Sequence, residues 1–520
     1  MVSEKPVASE EAAARPIYYN NVAPGSKTKW ERLKEGVQWY RPGTTVEEKK
    51  LLFKLDCAIL VFGCLSTFTK TLDNNSLTNA YASGMQEDLN LGGNDLNYLT
   101  AVYYCSYLSF MIPASFMLTR TPIQRILPTM EILWGVCTFG CAWVHNLTQL
   151  YVCRFFLGAC ETVAFTGLIY VIGSWYLREE MGVRVALYNI ASPLGGMFAG
   201  YLQTAMYTNL DGRNGLAGWR WLFIVCFCIT VPCAAVGYLL FPNSPNNTKP
   251  TWWLSQAEID LANQRLREEG IKRIDRKIRW KPLIRVLKSW PWYFFVFGWI
   301  LYDQNQYFTT TPFTLYLKAR EFYSVPQINN YPTINKAVSI VITVFGCYYA
   351  DKTGDRFSPS IITTLLNLLS AALLCGYDIG ESGRLFAFMI GGAGASMSAF
   401  QMSWVSDIVK DDPEERAIIT ASMNCIGQIF LAWIPIFTFP SDHGPRFTKG
   451  FRFSVVTSAI HVLLMLAIAY MERRDLRSGK RFKKLAFMPE VDVDSNAGYD
   501  EGVVALSEKT KVAVVAEEKK

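Results

Sequence analysis

The sequence predicts an all-α membrane protein with about twelve transmembrane helices in two six-helix halves. Three observations carry that expectation. Of the 520 residues, 51% are apolar and only 18% are charged, and a charged share that low departs from soluble chains toward membrane ones. Apolar runs of roughly 20 residues recur along the chain, and in lipid such runs must be helical because only intrahelical bonds satisfy their backbone. The longest polar stretch between runs falls mid-chain, with six runs on either side.

Taken in order, residues 1–56 form a polar N-terminal segment without the apolar core of a cleavable signal peptide, so the first span is expected to direct insertion. The N-terminal half, 57–241, holds runs near 57–77, 97–118, 126–144, 150–173, 185–207 and 219–241. A basic linker, 242–291, follows. The C-terminal half, 292–471, holds runs near 292–312, 332–350, 359–377, 384–405, 416–438 and 453–471. Polar residues interrupt the first and seventh runs. The tail, 472–520, is charged, lacks a lipidation motif and reads as a disordered cytoplasmic tail. Loop 242–290 carries eleven Lys and Arg against five Asp and Glu, which assigns it and both termini to the cytoplasm. The basic stretches Arg120 to Arg125, Arg178 to Arg184 and Lys352 to Arg356 fall in the same phase. The net charge of +7 is thus orientation charge, and no nucleic-acid partner is expected. Trp219, Trp221, Trp290, Trp292 and Trp433 lie near span ends and read first as an interfacial belt.

Several function classes lack their chemistry here. The thirteen cysteines fall in or beside apolar spans without metal-type spacing, and His145, His443 and His461 stand outside any nucleophile–base or metal constellation. An enzyme, a metal and a cofactor are therefore not expected. A phosphate-binding Gly-x-x-x-x-Gly-Lys-Ser/Thr loop is absent from the sequence, as is a legible selectivity filter. What remains is the layout of an internally duplicated secondary transporter whose halves rock about a midplane site.

Charged and amide groups inside spans mark such a path, because a charge at the bilayer centre costs at least about 2.5–3.5 kcal/mol on insertion scales. Lys70 and Asp73 lie one turn apart in span one. They read either as a solute-binding cation with a proton carrier, or as an internal ion pair. Arg154 and Glu161, two turns apart in span four, can face one side. Arg154 reads equally as a helix-end anchor, whereas Glu161 lies deeper and reads as a coupling residue. Asp303-Gln304-Asn305-Gln306-Tyr307 is too polar for lipid and reads as cavity lining, the alternative being an interfacial position. Lys336 in span eight reads alternatively as a residue snorkelling to the outer surface. Gln401, Trp404, Asn424 and Gln428 are further candidates, or simply interhelical bridges.

Between spans eight and nine, Gly346-Cys-Tyr-Tyr-Ala-Asp351-Lys-Thr-Gly-Asp-Arg356 resembles the signature loop of the major facilitator superfamily. Gly346 permits close helix approach, while Asp351 and Arg356 can pair at the helix ends, so the three are the expected gate. Four stretches carry a narrower resemblance: Lys70–Leu89 (KTLDNNSLTNAYASGMQEDL), Asp211–Trp221 (DGRNGLAGWRW), Asn329–Pro332 (NNYP) and Glu415–Asn424 (ERAIITASMN). They resemble the fungal allantoate-permease-like anion:cation symporters, most closely their pantothenate and biotin carriers. Asn74 stands where many members of the wider branch carry Arg, and Lys70 supplies a cation one turn earlier. The resemblance implies proton-coupled uptake of a small organic monocarboxylate by a plasma-membrane monomer: a vitamin such as pantothenate or biotin, or a nicotinate- or allantoate-like acid. Lys70, Asp73, Asn74, Gln304, Asn305, Gln401 and Asn424 would bind solute, and Glu161, Asp303 and Arg154 would serve proton coupling. The partners are a small organic anion, a proton and the bilayer. The rival readings are a proton-driven exporter of an acidic metabolite and a non-transporting receptor on the same fold.

Overall fold

Among the described residues the first helix starts at Val46, eleven residues before the first apolar run. Thr45 and Glu48 form a capping box there, and Leu51, Leu52 and Leu55 bury one face. The computed structural model describes residues 39–40, 44–268, 280–376, 378–409 and 412–478. Most of the N-terminal segment, linker residues 269–279 and the tail from 479 onward lie outside the described residues.

Span one is α1 (Val46–Leu55), a π-helical turn (Asp56–Leu60) and α2 (Val61–Ala80), running on to Asp88 through a second such turn. Spans two to six are α3 (Asp95–Arg120), α4 (Ile123–Cys141), α5 (Leu147–Trp175), α6 (Arg178–Leu210) and α7 (Gly218–Leu240). The linker contributes α8 (Gln256–Glu268) and α9 (Trp280–Leu287). Span seven is α10 (Trp290–Tyr307), which stops before the end of its apolar run and resumes as α11 (Thr311–Ala319). Spans eight and nine are α12 (Val325–Thr353) and α13 (Phe357–Gly376). Span ten is α14 (Gly380–Ile390) and α15 (Met397–Ile408), joined by the 3-10 segment Gly391–Ser396; spans eleven and twelve are α16 (Pro413–Thr438) and α17 (Thr448–Arg477). Every predicted run lies on a helix, and no strand occurs among the described residues. Nine helices among those residues are long and apolar enough to cross a membrane; α4, α6 and α10 are not among them.

The packing repeats. In the first half α2 packs on α6, α3 on α5, and α4 on α5 and α7. In the second, α10 packs on α16, α12 on α14 and on the 3-10 segment, and α13 on the same span. The halves meet where α6 lies along α12 and α3 along α16. Glycines let α6 approach both neighbours: a Cβ at Gly195 would clash with the Phe68 carbonyl oxygen of α2, and one at Gly200 would lie 2.5 Å from that of Asn329 on α12.

Cross-half hydrogen bonds cluster at the end of the bundle remote from the Gly346–Arg356 loop. Asn97 donates to Phe439 O at 2.7 Å and accepts from the Tyr307 hydroxyl at 2.8 Å. Lys318 donates to Tyr81 O, Asn329 to Ser83 and Thr204 to Asn330, all at 2.8–2.9 Å. At the loop end, α8 covers the base of the first half, where Arg265 bonds Glu180 and Lys54 bonds Glu258 at 2.7 Å. Trp219 departs from the belt reading. It is fully buried and donates to Asp88 at 2.7 Å, because the turn after span one folds back over the start of α7.

Candidate functional site

Glu161 on α5 is fully buried and organises the first half. Its Oε2 accepts from the Tyr103 hydroxyl at 2.6 Å and from Asn74 Nδ2 at 2.9 Å, while Oε1 has no partner. Asn74 Nδ2 also lies 3.2 Å from the Tyr103 hydroxyl. Lys70, one turn before Asn74 on the same face of α2, sets its ammonium 4.7 Å from the centre of the Tyr107 ring. Tyr103 and Tyr107 are a turn apart on α3, so helices α2, α3 and α5 close around one cation and one carboxyl group. Arg154, almost wholly buried, has an unpartnered Nε and acts electrostatically on both Glu161 and Asp73.

The anticipated Lys70–Asp73 ion pair is not formed. A spacing of three residues turns the two side chains about 60° apart, which is enough to send them to different neighbours. Asp73 points between α4 and α7, beside Thr138 and Cys226, with both carboxyl oxygens unpartnered. Glu131 of α4, absent from the sequence reading, adds a third fully buried carboxyl group, which accepts from Thr69 at 3.3 Å.

In the second half the polar stretch of α10 is buried in protein: Asp303, Gln304 and Asn305 are each at most 5% exposed. Asp303 fits against Gly427 of α16, where a Cβ would lie 2.2 Å from its Oδ2, and that oxygen is unpartnered. Gln304 likewise leaves Nε2 unpartnered. Asn305 joins a network inside the half. Its Oδ1 accepts from Thr457 at 2.8 Å and Ser458 at 3.1 Å, and its Nδ2 lies 3.3 Å from His461 Nδ1. The Gln401 side-chain nitrogen lies 2.9 Å from His461 Nε2, and a neutral imidazole accepts from only one of these two amides. Asn367 Oδ1 lies 3.0 Å from the same Ser458 hydroxyl, so the two amide oxygens share its one proton. A cavity with room for about one water molecule lies among Tyr302, Asn305, Asn367 and His461. Asn424 is half-buried on α16, one turn from Gly427.

The loop residues behave as a unit. Arg356 bonds Asp351 at 2.5 Å and Asp407, at the end of α15, at 2.8 Å. Gly346 sits under Phe400, whose ring a Cβ would approach to 2.3 Å.

Sequence reasoning missed Tyr103, Tyr107 and His461. The signal for the tyrosines was present: Tyr103, Tyr104 and Tyr107 place three hydroxyls on one face of span two.

The Major Facilitator Superfamily model matches residues 63–435. The chain belongs to that superfamily. The pantothenate transporter liz1 of Schizosaccharomyces pombe is 34% identical, covering 84% of each chain. The vitamin H transporter of Saccharomyces cerevisiae is 30% identical, covering 86% of this chain and 77% of its own. Among solved structures, the xylose transporter XylE of E. coli, in a partially occluded inward-open conformation, superposes with a TM-score of 0.58 at 15% identity. That match covers 79% of this chain and 98% of XylE. This major facilitator protein is thus a membrane transporter and not an enzyme, and its relatives include the vitamin carriers that the four sequence stretches resemble.

Proposed function

We propose that the protein takes up a small monocarboxylate vitamin, with pantothenate the leading candidate and biotin next, by cotransport with protons across the plasma membrane. Both termini and the basic linker face the cytoplasm in this reading, and one chain suffices, its halves 57–241 and 292–471 rocking about the site. The observation that carries it is Lys70 held beside the buried Glu161 by Asn74, Tyr103 and Tyr107. A carboxylate solute needs a cation at membrane depth, and a carboxyl group that gains a proton when the solute arrives keeps the loaded site close to neutral.

In this scheme Lys70 binds the solute carboxylate and Asn74 orients it. Glu161 carries the proton, with Asp303 as its counterpart in the second half and Arg154 tuning Glu161 and Asp73. Gln304 and Asn424 take the solute's polar groups, while Gln401 and Asn305 support that wall through His461. The Asp351–Arg356–Asp407 cluster, with Gly346, governs closure at the cytoplasmic end. Names of the relatives support the substrate class.

The test is radiolabelled uptake of pantothenate, biotin, nicotinate and allantoate in cells lacking their own carriers, at two external pH values. Concentrative uptake of pantothenate or biotin that strengthens at the lower pH is expected. Net efflux, or no movement of any of the four, would reject the reading.

A further inference from the structure

Lys336 was open to a position near the membrane surface, and the structure puts it at depth. It lies eleven residues into α12, which is about 16 Å along the helix, further than its side chain can snorkel. Its Cε would be 3.4 Å from a Cβ at Gly196, and the Asn75 amide nitrogen would be 3.5 Å from that same Cβ. Gly196 and Asn75 belong to the first half, so a cation of the second half lies against α6 of the other, near Asn75 of α2. The missing side chain at Gly196 makes the room. Lys70 lies five residues from Asn75 along α2, about 7.5 Å of helix rise. The two lysines thus come from opposite halves, about one and a half turns apart along α2.

Lys336 has no ion pair or hydrogen bond among the described residues. An unneutralised ammonium at that depth is unfavourable for the empty protein, and such groups pair with an anion when one is offered. Asn75 beside it is half-buried and already donates to Thr71 O at 2.8 Å. The neighbours thus supply no counter-charge.

We infer that Lys336 is a second solute-carboxylate ligand, contributed by the C-terminal half opposite Lys70, so that the anion bridges the two halves. This rests on the proposed substrate class and adds a residue that defines specificity. A carboxylate held from both sides draws α12 toward α2 and α6, so binding favours closure about the anion.

The experiment uses the full chain purified in detergent, with unfolding temperature followed with and without pantothenate, biotin and the neutral alcohol analogue of pantothenate. Lys336→Gln, Lys336→Arg and wild type are compared, alongside pantothenate uptake by surface-expressed protein. Lys336→Gln should unfold at or above the wild-type temperature when empty, because a half-buried unpaired charge is gone. It should raise the KM for pantothenate tenfold or more and narrow the preference for acid over alcohol; Lys336→Arg should keep most of both. A lysine that serves only structure gives the opposite pattern: Lys336→Gln lowers the empty protein's unfolding temperature and keeps the wild-type KM and acid preference, and that result overturns the inference. A wild-type chain stabilised by neither acid overturns the substrate class and this role together, whereas stabilisation of both wild type and Lys336→Gln to equal extents overturns the lysine alone.

Discussion

In the N-terminal half the deepest polar groups are charged and incompletely satisfied: Glu161 has one free oxygen, Asp73 two, and Lys70 faces a ring instead of a carboxylate. In the C-terminal half, besides Asp303 and Lys336, the interior holds neutral groups joined to one another, with Asn305, Asn367, Thr457, Ser458 and His461 sharing hydrogen bonds. The helices around them pack by the same plan. One architecture, used twice, has therefore been given two kinds of interior. Orphaned charges at membrane depth are unfavourable unless a ligand or proton completes them, which suits a site that changes state. A closed amide and hydroxyl network rigidifies its surroundings, which suits a wall against which the other half moves.

The largest effect expected from this contrast is at Glu161. Glu161→Gln mimics the protonated side chain, so accumulation driven by a pH gradient should vanish while exchange of internal for external solute persists. Asp303→Asn applies the same test to the neutral-walled half and should have a weaker effect on accumulation. If both variants still concentrate pantothenate when the outside is acidified, the charges of the first half are structural and the contrast fails.

Next comes Lys70→Gln, which removes a charge-assisted hydrogen bond worth about 1.5–3 kcal/mol. Apparent affinity for the carboxylate should drop at least about tenfold, read as KM in uptake at saturating proton supply. An unchanged KM would leave Lys70 as a helix-positioning residue.

The hydrogen-bonded network around Asn305 should respond in stability and not in coupling. Asn305→Ala strands Thr457, Ser458 and His461, at about 1–3 kcal/mol for a buried group left unsatisfied. The unfolding temperature should fall while pH-dependent accumulation survives. Loss of pH dependence at normal stability would move the proton path into this half.

The smallest effect is expected at the loop, where Asp351 is half-exposed and Arg356 keeps Asp407 as a partner. Exposed pairs contribute about 1 kcal/mol or less, so Asp351→Ala should slow maximal uptake by about fivefold at most, with normal surface protein. Identical uptake rates would make the loop a connector.

The number and order of spans, the break between halves and the charged residues buried within them were legible in the sequence, because each depends on one segment's own composition and on what lipid permits. The motif around Asp351 and Arg356 was legible for the same reason: its partners are five residues apart. Partners from distant segments were not. Glu161 is completed by Asn74 and Tyr103, 87 and 58 residues away, and His461 by Asn305, 156 residues away. Helical periodicity says which residues share a face, and it placed Lys70 near Asp73 on that basis. It does not say which neighbour covers the face. Only the packing of α2 against α3, α5 and α4 sent Lys70 toward Tyr107 and Asp73 toward Thr138 and Cys226. Only the close approach of α6 and α12 at Gly196 and Gly200 brought Lys336 to the opposite half, since the level of a side chain in a bundle depends on helix register, a property of pairs of helices and not of any one.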